Sequence, residues 1–151
     1  MPLSINIRSA IASDAHRLLA IRWDAIISLV DDFGHVAERW ANSASPDRAT
    51  LAIKHNTVWV AESESMVVGW IEIKGAKVNG LYVDSSVSRS GVGSSLMAYA
   101  ELTIQTQGKV AVHLDASPNA VSFYARLGYE VAGAPKPDNS VPMVKRFGHD
   151  T

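Results

Sequence analysis

A glycine-rich turn between a strand-like run and an amphipathic stretch constrains this chain more than any other feature. Ser88-Arg89-Ser90-Gly91-Val92-Gly93-Ser94 follows a run of strand character over residues 77–83 and opens a helix expected over about 91–106. Glycines let the backbone approach a ligand closely, and a helix start presents unpaired amides backed by the positive end of its dipole. Such a turn suits a phosphate or diphosphate. A dinucleotide fingerprint would need a third glycine three residues after Gly93, where Leu96 stands. A nucleoside-triphosphate loop would need Gly-Lys-Ser/Thr, and no lysine follows. What remains is a diphosphate held by amides alone, or a glycine-rich helix start with no ligand.

The elements around this turn narrow the fold. Residues 5–8 alternate as a short strand, and Ser13 stands where a helix N-cap belongs. Leu19, Trp23, Ile26 and Val30 then form one apolar stripe of a helix ending near Asp31-Asp32. A shorter helix over residues 35–42 and a loop over 42–47 come next. Residues 57–62 and 66–74 read as a hairpin, and residues 77–83 as a strand in which Asn79-Gly80 marks a bulge or splay. Residues 110–114 suit a strand covered on both faces. Ser117-Pro118 opens a helix with Ala120, Phe123, Tyr124 and Leu127 on its apolar face, stopped by Gly128. Residues 129–132 and 141–147 complete the strands. The order is strand, helix, helix, three strands, helix, strand, helix, two strands. It predicts an α/β (α+β) fold: a mixed, mostly antiparallel sheet of about seven strands with helices on both faces.

Composition excludes several functions. The 151 residues are 47% hydrophobic and 19% charged, which fits a single domain spanning 1–151. Residues 1–75 carry seven basic and nine acidic side chains and residues 76–151 seven and six, so neither half offers a nucleic-acid footprint. With no cysteine there is no disulfide, thiol nucleophile or thiolate zinc site. His16, His35, His55 and His149 form no metal spacing, so no metal is expected. Neither a secretion signal nor a membrane span is evident, and a cytoplasmic protein is expected. Strand edges leave a homodimer open.

Leu81-Tyr82-Val83-Asp84, followed by Arg89-Ser90-Gly91-Val92-Gly93-Ser94-Ser95-Leu96, resembles the acyl-CoA-binding motif of the GNAT N-acyltransferase superfamily. The stretch from Ala116 to Tyr129, containing Ser117-Pro118-Asn119 and Phe123-Tyr124, is similar to that superfamily's second cofactor motif. The two occur in the family's order, and the resemblance spans residues 5–147. It implies that backbone groups of Leu81, Tyr82 and Val83 pair with the pantetheine arm of acetyl-CoA in a slot opened where this fourth strand splays from residues 110–114. It implies further that amides of Arg89, Ser90, Gly91, Val92, Gly93 and Ser94 bind the diphosphate, that Asn119 bonds the arm, and that Tyr124 stands near the thioester sulfur. The chain departs from the pattern at Ser88, where the family has Gln or Arg, and at Lys77, where a Glu is common. Arg89 can supply the charge missing at Ser88.

The implied reaction moves an acetyl group from acetyl-CoA to the amine of a small molecule or peptide. With no thiol nucleophile, transfer is expected to be direct. It needs a neutral amine, a donor for the oxyanion and a proton for the thiolate. An amide near residues 81–83 is the expected oxyanion donor. Tyr124, a phenol of pKa ~10, is the expected acid for a thiolate of pKa ~8.5. Glu72 is the candidate base, acting through water, unless it is simply an exposed strand carboxylate. His113 and Asp115 share a strand face and read as a relay or as a hydrogen-bonded structural pair. Asp31, Asp32 and Glu38 could attract a cationic amine, and Trp23 and Trp40 could line its pocket or pack the core. The alternative to an enzyme is a non-catalytic acyl-CoA-binding or regulatory domain.

Overall fold

The computed structural model of the chain describes residues 4–27 and 47–148. Seven strands form one sheet in the order β1-β2-β3-β4-β5-β7-β6. They are β1 (Asn6–Ser9), β2 (Thr57–Ser63), β3 (Met66–Lys74), β4 (Lys77–Val83), β5 (Ala111–Ala116), β6 (Glu130–Val131) and β7 (Val141–Arg146). Every neighbouring pair is antiparallel except β4–β5. That parallel pair is what a helical crossover produces. The helices are α1 (Ala15–Ile27), α2 (Arg48–His55), α3 (Val92–Thr106) and α4 (Val121–Arg126). The mixed, mostly antiparallel sheet expected from the sequence is present.

β2 and β3 form the expected hairpin, closed by Glu64 and Ser65, both at positive φ (52° and 66°). Two left-handed residues in succession match the right-handed twist of the flanking strands. β3 is buried from Val67 to Ile73, so it lacks the alternation of a half-exposed strand. One core lies between the sheet and α3, with Ile71, Ile73, Leu96, Met97, Ala100, Ile104 and Val112 fully buried. A second lies beneath α1 and α2, around Leu18, Ile21, Val60 and Trp70. The Trp70 indole N–H donates to Leu18 O at 2.9 Å, so this aromatic is buried with its polar atom satisfied. Gly69 permits the close approach that seats the start of α3. A methyl group there would fall 2.9 Å from Val92 Cγ1 and 3.1 Å from Tyr82 O.

Three local expectations are corrected. The start of α1 is held by Asp14 rather than Ser13: its Oδ2 accepts the Ile11 amide at 2.8 Å, and Arg8 grips both carboxylate oxygens at 2.8 and 3.0 Å. The buried stripe of α1 is Leu18, Ile21, Arg22 and Ile26, while Trp23 is 51% exposed and belongs to neither core among the described residues. α2 was not anticipated at all. The predicted helix over 35–42 and the residues Val30, Asp31, Asp32, Glu38 and Trp40 lie outside the described residues. Among the described residues no helix is long and apolar enough to cross a membrane.

Candidate active site

The site begins with a fault in the sheet. Along β3, Glu72 opposes Gly80 but Ile73 opposes Val78, leaving Asn79 as an extra residue in β4. A bulge bends its strand and sharpens the local twist. On the other side, β4 pairs with β5 only at Lys77↔His113 and Val78↔Leu114. Both readings of Asn79-Gly80 therefore hold: β4 is bulged, and beyond residue 78 it splays from β5.

A cavity of about 360 Å³ fills the splay. β4 contributes Val78 to Tyr82, β5 contributes Leu114 and Asp115, and α1 contributes Arg22 and Ile26. Ser117 and Tyr124 close it from the β5–α4 segment, and Asp138 and Ser140 from the loop before β7. Leu81, Tyr82 and Tyr124 thus meet in one cavity. Tyr124 is 8% exposed, with its ring edge-on to Phe123 at 5.0 Å and to Tyr129 at 5.9 Å. Burial, aided by the nearby Tyr82, pushes its phenol above the usual tyrosine value. It is therefore both a core aromatic and a cavity-lining hydroxyl.

The glycine turn stands where α3 begins. Arg89 takes φ 63° and Gly91 φ 90°, so the chain turns through the left-handed region twice before the helix. A 3-10 turn at Ser85–Val87 precedes it, and the Ser90 hydroxyl donates to Val87 O. The first helical bond is Ser95 N to Gly91 O at 3.0 Å, so the amides of Val92, Gly93 and Ser94 precede the ladder. Among the described residues nothing beyond its chain neighbours lies within 4 Å of a methyl group placed on Gly91, which leaves room for an anion. At Gly93 a methyl group would stand 3.2 Å from Phe123 Cζ and 3.8 Å from Val83 Cγ2, joining this turn to α4 and the end of β4. Asn119 lies in the exposed 3-10 turn Pro118–Ala120, where its Oδ1 accepts the Ser117 hydroxyl at 2.8 Å. Val83, Arg89 to Ser94 and Asn119 sit outside the cavity lining, around the wide end of the splay.

Glu72 is placed differently from the expectation. It is 3% exposed, not an exposed strand carboxylate. Asn56 Nδ2 donates to its Oε2 at 2.6 Å, and an Arg48 guanidinium nitrogen lies 2.5 Å from Oε1 as an ion pair. Glu72 does not line the cavity. His113 and Asp115 are not the expected pair either: Asp115 Oδ2 receives Lys77 Nζ at 2.9 Å and Lys136 Nζ at 2.8 Å. Burial works to raise the Asp115 carboxyl, but the two lysines outweigh it and hold it below the ordinary value of 3.8. Arg22, Asp138 and Ser140 went unnoticed in the sequence. Arg22 stands four residues from both Leu18 and Ile26, and that spacing was the available signal; the loop residues carried none. Among the described residues no group of three or more His, Asp or Glu gathers as a metal site.

A splayed parallel pair, a left-handed glycine turn at a helix start and a buried phenol in the cleft lie together along β4. Residues 16–146 match the family described as Acetyltransferase (GNAT) domain, and the chain belongs to that family. It is an acetyl-CoA-dependent N-acetyltransferase. Peptidyl-lysine N-acetyltransferase YjaB of Salmonella typhimurium is 26% identical over 138 residues, covering 91% of each chain. Its Escherichia coli counterpart is 26% identical over 136 residues, covering 89% of this chain and 88% of that one. Among solved structures, a GCN5-related N-acetyltransferase from Rhodopseudomonas palustris superposes with a TM-score of 0.88 at 24% identity, over 97% of this chain and 99% of that one. The PaiA N-acetyltransferase of Thermoplasma acidophilum, solved with coenzyme A, gives 0.82 at 19% identity, over 96% and 100%.

Proposed function

We propose that this single-domain chain acetylates the side-chain amine of lysine in a peptide or protein, with acetyl-CoA laid along the splayed edge of β4. The acceptor class is the one named for the two YjaB relatives. The observation that carries the cofactor placement is the end of the β4–β5 ladder at Val78↔Leu114, beyond which the cavity reaches Tyr124.

Bound acetyl-CoA supplies an activated acetyl group and a thiolate leaving group. The chain's own residues do the rest. Amides of Arg89, Ser90, Gly91, Val92, Gly93 and Ser94 hold the diphosphate at the helix start, and the Arg89 side chain adds charge. Backbone groups of Leu81, Tyr82 and Val83 take the pantetheine arm as an added strand. Asn119 donates to the arm through its amide nitrogen, since its Oδ1 already accepts from Ser117. Tyr124 donates its hydroxyl to the sulfur; its raised pKa keeps the proton in place at working pH. Glu72, engaged by Arg48 and Asn56, holds α2 against β3 and takes no proton from the acceptor.

Calorimetry with acetyl-CoA, followed by thiol release across lysyl peptides and small amines, tests this reading. Turnover of lysyl peptides is the expected result. Turnover confined to small amines would remove the lysine assignment, and binding without turnover on any amine would leave a non-catalytic acyl-CoA-binding domain.

A further inference from the structure

Resting on the acetyl-transfer reading above, we infer that Asp115 receives the acceptor amine. An amine must be held with its lone pair toward the acyl carbon, which requires a group that accepts a hydrogen bond from N–H. Among the described residues, two carboxylates line the cavity, Asp115 and Asp138. Asp138 Oδ1 accepts both the amide of Ser140 at 2.9 Å and its hydroxyl at 2.6 Å, so this carboxylate closes a turn in the loop before β7. Asp115 lies instead on β5, one residue past Leu114, the last residue paired with β4.

Its carboxylate therefore stands at the apex of the splay, in the same cavity as Tyr124. Strand alternation gives its direction. Leu114 and Ala116 are buried in the core beneath α3, so Asp115 faces the other side of the sheet, the side of α1. Arg22 and Ile26 of α1 border the cavity there. Lys77 and Lys136 both meet Asp115 at Oδ2, and each is 46% exposed, so solvent can take over a lysine that an incoming amine displaces. The result is a carboxylate in the same cavity as a phenol, with Oδ2 paired to two lysines and Oδ1 in neither of those bonds.

The acceptor enters as the neutral amine, its ammonium proton left in solvent, and donates an N–H···O bond to the carboxylate that orients its lone pair. Asp115 accepts a hydrogen bond and exchanges no proton with the substrate. The bonds made and broken are those of the transfer itself: N–C forms, C–S breaks, the sulfur takes the Tyr124 proton, and the nitrogen sheds one further proton to water, from which Tyr124 is reprotonated.

The test measures KM separately for acetyl-CoA and a lysyl peptide in wild type, Asp115→Asn and Asp115→Ala. Asp115→Ala should raise the peptide KM about tenfold or more, with Asp115→Asn between, because the lost contact is to acceptor alone. Acetyl-CoA affinity by calorimetry should stay unchanged. An unchanged peptide KM overturns the inference. So does a parallel loss of acetyl-CoA affinity, which would make Asp115 a prop for the splay. If wild type acetylates no amine, the transfer reading fails, and peptide binding to the enzyme–coenzyme A complex decides this one. Binding weakened by Asp115→Ala upholds it; equal or absent binding overturns it.

Discussion

Tyr82 lies across Gly80: a methyl group on Gly80 would fall 2.6 Å from the ring carbon Cε2 and 2.9 Å from the hydroxyl oxygen. The ring is held from two other directions. Trp70 packs against it at 5.0 Å between centroids, and the Arg22 guanidinium lies 5.7 Å over its face. A side chain at residue 80 must therefore displace either the ring or the bulged backbone beside Asn79. Gly80→Ala should cost about 1–3 kcal/mol of stability, the range for overpacking. Because the displaced edge is the one assigned to pantetheine, acetyl-CoA affinity should fall about tenfold, a loss of ~1.4 kcal/mol by calorimetry. Adding Tyr82→Ala should restore part of the stability; no recovery would place the clash elsewhere.

Tyr124→Phe removes one hydroxyl from a cavity wall and leaves the ring contacts with Phe123 and Tyr129 in place. Thiol release at saturating substrates should slow about 100-fold, the scale of one general acid. Acetyl-CoA affinity should hold. The pH profile gives a second check. Because burial raises the phenol above its ordinary value of 10.0, its protonated form persists through that pH. Tyr124 should therefore contribute no alkaline loss of kcat below pH 10. Full activity in the phenylalanine variant would end its role as acid.

Arg89 occupies a left-handed position, φ 63°, which an arginine adopts at a cost of about 1 kcal/mol. Arg89→Gly relieves that cost and Arg89→Ala does not, yet both remove the charge. Both should weaken acetyl-CoA binding, with a smaller dependence on salt than wild type, while only the glycine variant should gain thermal stability. Equal binding in all three proteins would assign the diphosphate to the backbone amides alone.

Asp14 joins β1 to the start of α1 through Arg8 and the Ile11 amide. The hydrogen bonds from Arg8 lead in lowering its carboxyl below the ordinary 3.8; burial opposes them, and the Ile11 amide adds to the lowering. A depressed folded pKa means stability that is present above the unfolded value and lost as pH falls through the folded one. Asp14→Asn should cost about 1–2 kcal/mol at pH 7, the loss of a capping-box bond from the Ile11 amide with a partly screened ion pair. The gap between variant and wild type should close below pH 3.8 in denaturant titrations.

The parts of this fold that were legible in the sequence are those with a local cause. The β2–β3 hairpin, the glycine turn, α3 and the fault at Asn79-Gly80 each follow from a few adjacent residues. α2 escaped notice because only Ala49 and Ala52 of Arg48–His55 are buried, and two alanines make too faint a stripe. Asp47 gives it no side-chain cap bond. That omission carried over to Glu72, whose burial depends on Arg48 and on Asn56 just beyond α2. On α1 the apolar letters suggested Trp23, but the cavity and the Tyr82 ring turn Arg22 inward instead. Asp138 and Ser140 reach the cavity from a loop with no periodicity to read. Asp115 stood in view, and only its lysine partners, brought in from β4 and the loop before β7, distinguished a cleft anion from a partner of His113.

The divergence of β4 from β5 gives the sheet an inner margin besides its two outer ones. Exposed strand margins ordinarily invite other polypeptides and aggregation. This one lies between α1 on one face and α3 on the other, at the wall of a cavity rather than along the outside of the sheet. The molecule can keep a row of hydrogen-bonding groups unspent for a slender guest while withholding them from its own kind.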